Sequence, residues 1–213
     1  MRADFHIHSK YSYDSMMEPL KIMKICKKIG LDAISITDHN TIKGSINAKK
    51  YEKEFGIEVL IGEEVKTNLG DIIGLNLNEE IKCRNYLEVL DEIKDQGGVS
   101  IFPHPFRGHK NIEMISDKVD LIEVFNSRSN IYENQKSMDL ALKFNKPPVA
   151  GSDAHVYSEI GNSIMNFNTI FDHHKYIQFK NSTNYQKVVS YIIKDVKLYK
   201  LHKIPIHIIR LVL

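Results

Sequence analysis

The sequence predicts an α/β fold, a mostly parallel sheet covered by helices, and three observations carry that prediction. Short apolar strands alternate with helical stretches along the first 175 residues. The helical stretches close on glycines, at Gly30, Gly56 and the Gly97-Gly98 pair, which suit the left-handed turn that ends a helix. Histidines and carboxylates gather at the strand ends, and in α/β folds the C-terminal strand ends share one crevice.

The strands are read in order at Ala3–His8, Ala33–Thr37, Glu58–Gly62, Asp71–Leu77, Val99–Phe102, Leu121–Phe125, Pro148–Gly151 and Asn166–Phe171. Several are β-branched or aromatic runs closed by Gly, Pro, Asp or Asn. Helical segments separate them at Glu18–Ile29, Ser45–Phe55, Asn85–Gln96 and Asn130–Phe144. In the first helix Ile22, Ile25, Cys26 and Ile29 form one apolar stripe, so Cys26 reads as a core thiol. A closed barrel of eight strand–helix units usually needs about 250 residues. A chain of 213 suits a compact or incomplete barrel better.

With 42% apolar and 26% charged residues the chain is globular rather than disordered or fibrous. Cys26 and Cys83 have no motif spacing, which argues against a disulfide framework and a zinc knuckle. No run has the length of a membrane span and no secretion signal is read, so a cytoplasmic location is expected. The charge is uneven: residues 176–213 hold seven Lys/Arg and one acid, a net of +6, whereas residues 1–175 carry a net of −4. We therefore expect a barrel domain over 1–175 and a basic amphipathic tail over 176–213, packed on the barrel. Val188, Ile192 and Val196, interleaved with Lys187, Lys194, Lys197, Lys200 and Lys203, suit a packed helix with a solvated lysine face. A guide for a phosphate-rich ligand, a protein contact or a membrane-surface contact would use the same pattern. Pro205 interrupts it, and Ile206–Leu213 reads as a short apolar strand or docking segment.

His6 and His8 end the first strand, and His39 follows the second. Glu63 and Glu64 follow the third, His104 follows Val99–Pro103, and Asp153 and His155 close Pro148–Gly151. Side chains alternate along a strand, so His6 and His8 share a face and Phe5 and Ile7 share the other. The Asp153-Ala154-His155 triplet repeats the device. One His-x-His is compatible with ordinary buried histidines; ligand-type residues at five strand ends are not explained by packing. Imidazoles and carboxylates without thiolates suit Zn²⁺, Mn²⁺ or Fe²⁺ and do not choose among them. Asp38 has the opposite parity to His39 and reads as a supporting carboxylate. His109, His173 and His174 match no motif and are expected to face solvent.

The runs Asp4-Phe5-His6-Ile7-His8-Ser9, Tyr13-Asp14 and Ile36-Thr37-Asp38-His39-Asn40 resemble the first motifs of the polymerase and histidinol phosphatase (PHP) family. Gly62-Glu63-Glu64, Phe102-Pro103-His104-Pro105 and Gly151-Ser152-Asp153-Ala154-His155 resemble its later motifs, in the family's order. The resemblance covers about residues 3–170. It implies a distorted seven-stranded, TIM-like β/α barrel with a phosphoesterase site at the C-terminal strand ends, holding two or three divalent metal ions. Carried over by position, His6, His8, Glu64 and Asp153 would hold one ion, and Asp14, His39 and His155 another. Asp14 stands where some relatives have His. Glu64 would bridge to a third ion bound by His104, and Asp71 occupies a position that is His in many relatives.

The activity so implied is hydrolysis of a phosphate ester by a metal-activated hydroxide, acting through His6, His8, Glu64 and Asp153. Arg107, in His-Pro-Phe-Arg-Gly, and Arg128, in Phe-Asn-Ser-Arg, are candidate phosphate clamps, and Asn126 a candidate pocket residue. The expected substrate is a small phosphomonoester, a nucleotide or a nucleic-acid end. Two other readings fit part of the pattern. An amidohydrolase cutting C–N bonds also begins with His-x-His, but it needs no separate ion at Asp14, His39 and His155, and no strand-end lysine suited to carbamylation is read. A non-catalytic metal-binding domain would not need so complete a ligand set.

Overall fold

The computed structural model describes residues 1–166 and 175–212. The strands are β1 (Arg2–Ile7), β2 (Ala33–Ile36), β3 (Glu58–Lys66), β4 (Asp71–Leu75), β5 (Val99–Phe102), β6 (Leu121–Asn126), β7 (Pro148–Gly151), β8 (Ser163–Asn166) and β9 (Lys175–Phe179). The helices are α1 (Pro19–Lys28), α2 (Lys43–Lys49), α3 (Glu52–Phe55), α4 (Tyr86–Asp95), α5 (Ile112–Lys118), α6 (Ile131–Lys143), α7 (Asn184–Lys197) and α8 (Ile204–Val212).

Neighbouring strands follow the order β7-β6-β5-β4-β3-β2-β1-β8-β9. Pairing is parallel from β1 to β3 and from β5 to β7, while β4 runs antiparallel to both neighbours. The ring closes where Ala154, just beyond β7, meets Ile7. There His8 N donates to Ala154 O at 2.9 Å and Ala154 N to His6 O at 3.3 Å. β8 pairs with the start of β1, so eight strands make a nearly closed barrel where seven were expected. A ring of so few residues per repeat needs short connections, and the β3–β4 hairpin supplies the shortest: Thr67 N donates to Gly70 O at 2.8 Å. Gly70 sits at φ 146°, a conformation closed to other residues.

Three apolar clusters hold the layers. Ala3, Phe5, Ala33, Ile73, Leu75, Ile101, Leu121 and Val149 come from strands alone and fill the ring. Ile22, Met23 and Cys26 of α1 bury completely against Ile34, Ile36 and Val59, so Cys26 is indeed a core thiol. Val89 and Ile93 of α4, with Ile115 and Leu140, cover the opposite side around Phe102 and Ile122. Each such side chain contributes roughly 1.5–3 kcal/mol by leaving water.

Several expectations need correction. Helix Ser45–Phe55 is two pieces, α2 and α3, beginning at Lys43; the Glu52 carboxylate accepts from Val59 N at 2.8 Å and ties α3 to β3. β3 runs on to Lys66, so Glu63 and Glu64 lie inside it rather than after it. Phe5 and Ile7 do not share a cluster, because the register shifts between Asp4 and Ile7 and breaks the alternation. Residues 206–212 are not a strand: α8 covers Ile204–Val212. Pro205 falls in its first turn, where a missing N–H costs no helical bond. Strand Asn166–Phe171, beyond its first residue, and His173 and His174 lie outside the described residues.

Candidate metal centre

Cross-strand pairing aims the acids. Glu64 lies opposite Ile73, and Ile73 points into the ring, so Glu64 does too; Asp71, two residues earlier on β4, shares that face. Glu63 lies opposite Gly74 on the other face, where its carboxylate accepts from Ile81 N at 2.5 Å. Burial there pushes the Glu63 carboxyl up to about 7. Asp38 likewise points away: it accepts from Ser9 N at 2.5 Å and Ser9 Oγ at 2.6 Å and supports the strand end.

The remaining residues converge. Glu64 Oε2 lies 3.5 Å from His6 Nε2, 3.3 Å from His8 Nε2 and 3.4 Å from His39 Nδ1. Asp153 Oδ1 lies 3.4 Å from His6 Nε2 and 3.2 Å from His8 Nε2. Asp14 Oδ2 lies 3.2 Å from His39 Nε2 and 3.3 Å from His155 Nε2. Glu64 Oε1 is 2.9 Å from His104 Nε2. Two ligand atoms bonded to one ion at ~2.1 Å lie about 3.0–3.4 Å apart, so most of these spacings are those of shared coordination.

The buried nitrogens fit the same description. Among the described residues, His6 Nε2, His8 Nδ1 and Nε2, and His39 Nδ1 have no hydrogen-bond partner. Burial, with His155 beside it, lowers the His8 pKa to about 3, so His8 is a neutral imidazole with a free lone pair. A buried polar atom without a partner costs free energy, and a divalent cation would satisfy several at once. Against burial, His39 and His6 hold Glu64 well below the usual carboxylate range, and Arg107 and His6 do the same for Asp153. Groups able to hold an ion are His8/Asp14/His39/His155, His6/His8/Glu64, His6/His104/Asp153, His39/Glu64/Asp71 and Asp71/His104/His109. All nine ligand candidates named from the sequence therefore enter at least one group. His104 and Asp153 adopt left-handed φ values of 31° and 51°, backbone strain of the kind that collects at functional sites.

Three residues were missed or misjudged. Glu123, an acid inside the apolar strand β6, accepts from His6 Nδ1 at 2.8 Å and from His104 N at 2.8 Å. It fixes the His6 proton on Nδ1 and leaves Nε2 facing Glu64 and Asp153. A charged residue in an otherwise apolar run was the signal that could have found it. Glu123→Gln is expected to weaken metal binding about 10-fold or more, measured by metal titration of the folded chain. His109 does not face solvent: its Nε2 lies 3.0 Å from His104 Nδ1, and its Nδ1 accepts from Asp71 N at 3.2 Å. A Cβ on Gly70 would collide with its ring, so the glycine makes the room His109 occupies. Lys66, closing β3, lines the mouth as an exposed strand-end lysine.

The recess above the cluster is lined by Tyr13, Lys66, Arg107, Arg128, Tyr191 and Lys194, among others. Arg107 donates to Asn126 Oδ1 at 3.0 Å and pairs with Asp153. Arg128 is more engaged: both Glu159 oxygens lie 3.1–3.2 Å from its Nη1, and Nη2 donates to Ser190 Oγ at 2.5 Å. Asn126 also donates to Asp153 Oδ2 at 3.2 Å. The tail contributes to this wall, since Tyr191 and Lys194 belong to α7. No helix among the described residues is long and apolar enough to cross a membrane.

Comparison with known proteins agrees with the fold. An uncharacterized protein of Methanocaldococcus jannaschii is 45% identical over 152 residues, spanning 63% of this chain and 88% of its own length. Among solved structures, a two-domain protein from Bacteroides vulgatus containing a predicted PHP-like metal-dependent phosphoesterase superposes with a TM-score of 0.66 at 19% identity. That match covers 78% of this chain but only 57% of the Bacteroides protein. An amidohydrolase from Chromobacterium violaceum with bound sulfate superposes with a TM-score of 0.62 at 16% identity, covering 72% of this chain and 87% of its own. The sequence profile of the PHP domain matches residues 4–202, nearly the whole barrel together with α7, and the chain therefore belongs to the PHP family of metal-dependent hydrolases.

Proposed function

We propose that this protein hydrolyses phosphate esters with the help of two or three divalent ions. The observation that carries the reading is the joining of the ligand groups through Glu64, next to a guanidinium at the rim. His6, His8, Glu64 and Asp153 would hold one ion, Asp14, His39 and His155 a second, and Glu64 and His104 a third, with Asp71 and His109 adjacent. Bound ions of this kind activate water near neutral pH and neutralise charge on phosphoryl oxygens. Arg107 supplies a planar donor fork to a phosphate oxygen, oriented by Asn126 and Asp153. Glu123 holds the His6 proton away from the cluster.

Zn²⁺, Mn²⁺ and Fe²⁺ all suit these ligands. A small phosphomonoester or nucleotide is favoured, because α7 bounds one side of the recess; a nucleic-acid end is the larger alternative. C–N hydrolysis is the competing chemistry. It is disfavoured by the Asp14, His39 and His155 group, and by the exposure of Lys66, which is held by no pair of buried ligands. The test is a screen of phosphomonoesters, nucleotides, oligonucleotides and amides with the chain loaded with each metal. Phosphate release that stops on chelation is expected, and Arg107→Lys should raise KM about 10-fold by losing the bidentate fork. Turnover confined to amides would overturn the reading.

A further inference from the structure

The loop joining β1 to α1 carries Asp14, the carboxylate that faces both His39 and His155. Met17 anchors it in the apolar core, while Ser9, Ser12, Asp14 and Ser15 are buried polar groups that need partners. Its other end of support comes from more than 180 residues away. Lys197, in the last turn of α7, donates to Lys10 O at 2.8 Å, Ser12 O at 2.5 Å and Ser15 O at 3.0 Å. An ammonium has three N–H donors and no acceptor, so three carbonyls satisfy it completely.

The contact reaches Asp14 through one residue. Ser12, whose carbonyl accepts from Lys197, donates its hydroxyl to Asp14 Oδ1 at 2.6 Å. That bond leaves Oδ2 directed at the two imidazoles. Ser15, whose carbonyl also accepts from Lys197, donates its own hydroxyl to His8 O and His155 O, each at 3.0 Å. The same helix presses on the loop a second time: the Lys194 ammonium lies 4.8 Å above the Tyr13 ring, which stacks on His39 at 4.5 Å. α7 is in turn fastened to the barrel by Arg128 on Ser190 and by Gln186 Nε2 on Ser158 Oγ at 2.8 Å.

We infer that Lys197 is a positioning residue for the ion held by Asp14, His39 and His155, and that the basic helix α7 is a brace built into that part of the metal centre. The inference rests on the metal reading above. It separates Lys197 from Lys200 and Lys203, which follow α7 and are exposed.

Co²⁺ titration of the full chain, followed by its visible absorption, tests this. Lys197→Met keeps the aliphatic stem and removes the donors. It should raise the Kd of one Co²⁺ about tenfold, the size of effect seen when a supporting partner of a ligand is lost, while leaving the others unchanged. Lys197→Arg should recover much of the loss, and Lys200→Gln should have no effect. In the wild-type chain, saturating Co²⁺ should slow amide exchange both in residues 10–15 and in the last turn of α7, because coupling between sites is reciprocal. That measurement stands if Lys197→Met does not fold. An unchanged Co²⁺ isotherm in Lys197→Met, or exchange in the loop that ignores Co²⁺, overturns the brace alone. A wild-type chain that binds no Co²⁺ overturns the metal reading, and the brace with it.

Discussion

Glu64→Gln is expected to lower phosphate-ester turnover by about 10²-fold or more, the scale of losing a fixed charge at a reacting centre. Its carboxylate faces His6, His8, His39 and His104, so it is the acid shared by the first and third proposed ion sites and it also borders the second through His39. Gln keeps the shape but offers one neutral oxygen where two charged ones stood, and ions on either side would bind more weakly. Glu63→Gln is the matched control. Glu63 is as buried as Glu64, yet it faces Ile81 N on the outer side of β3. Its replacement should change stability and leave kcat nearly intact. Steady-state kinetics of both variants decide the point, and equal losses would show that the wrong glutamate carries the chemistry.

Metal ions are expected to stabilise the fold strongly. Without them the cluster gathers Asp14, Glu64 and Asp153 among imidazoles of which His6, His8 and His39 have unpartnered nitrogens, and histidine protonation and Arg107 balance part of the charge. Against burial, Glu64 and Asp14 push the His39 pKa up to about 9, so in the metal-free chain that imidazole serves as a counter-cation at neutral pH. A ligand binding only the folded state at 100 times its Kd contributes about 2.7 kcal/mol. For a chain of this size that corresponds to a Tm rise of roughly 5–10 °C. Thermal unfolding with Mn²⁺, Zn²⁺ or Fe²⁺ against a chelator measures it. Asp153→Asn should shrink the shift, because it removes a carboxylate facing both His6 and His8. The same Tm with every metal and with chelator would remove the centre proposed here.

What the sequence determined by itself was whatever a local pattern encodes. Alternating strand and helix periods gave the barrel class, and glycine stops gave helix ends: Gly30, Gly56 and Gly97 all take left-handed φ of 61–72°. Period two put Glu63 and Glu64 on opposite faces, strand-end imidazoles and carboxylates marked His6, His8, His39, His104, Asp153 and His155, and the resemblance to the PHP family chose Glu64 and added Asp14 and Asp71. What only the tertiary structure decided depends on residues distant in sequence. Glu123 holds His6 across 117 positions, and nothing near Glu123 announces that partner. His109 reaches His104 because Gly70, on another hairpin, leaves its ring space. The Asp4–Ile7 register shift depends on which strands flank β1, and no single-strand period contains it. The tail shows the same division. That it is helical was legible from Val188, Ile192 and Val196, but not which face packs: Val196 is exposed, and Lys197 faces three carbonyls of the Asp14 loop because of where the barrel closes and where α7 is fastened. A lysine with a solvated head and one with a satisfied head have the same sequence; only the surrounding carbonyls distinguish them.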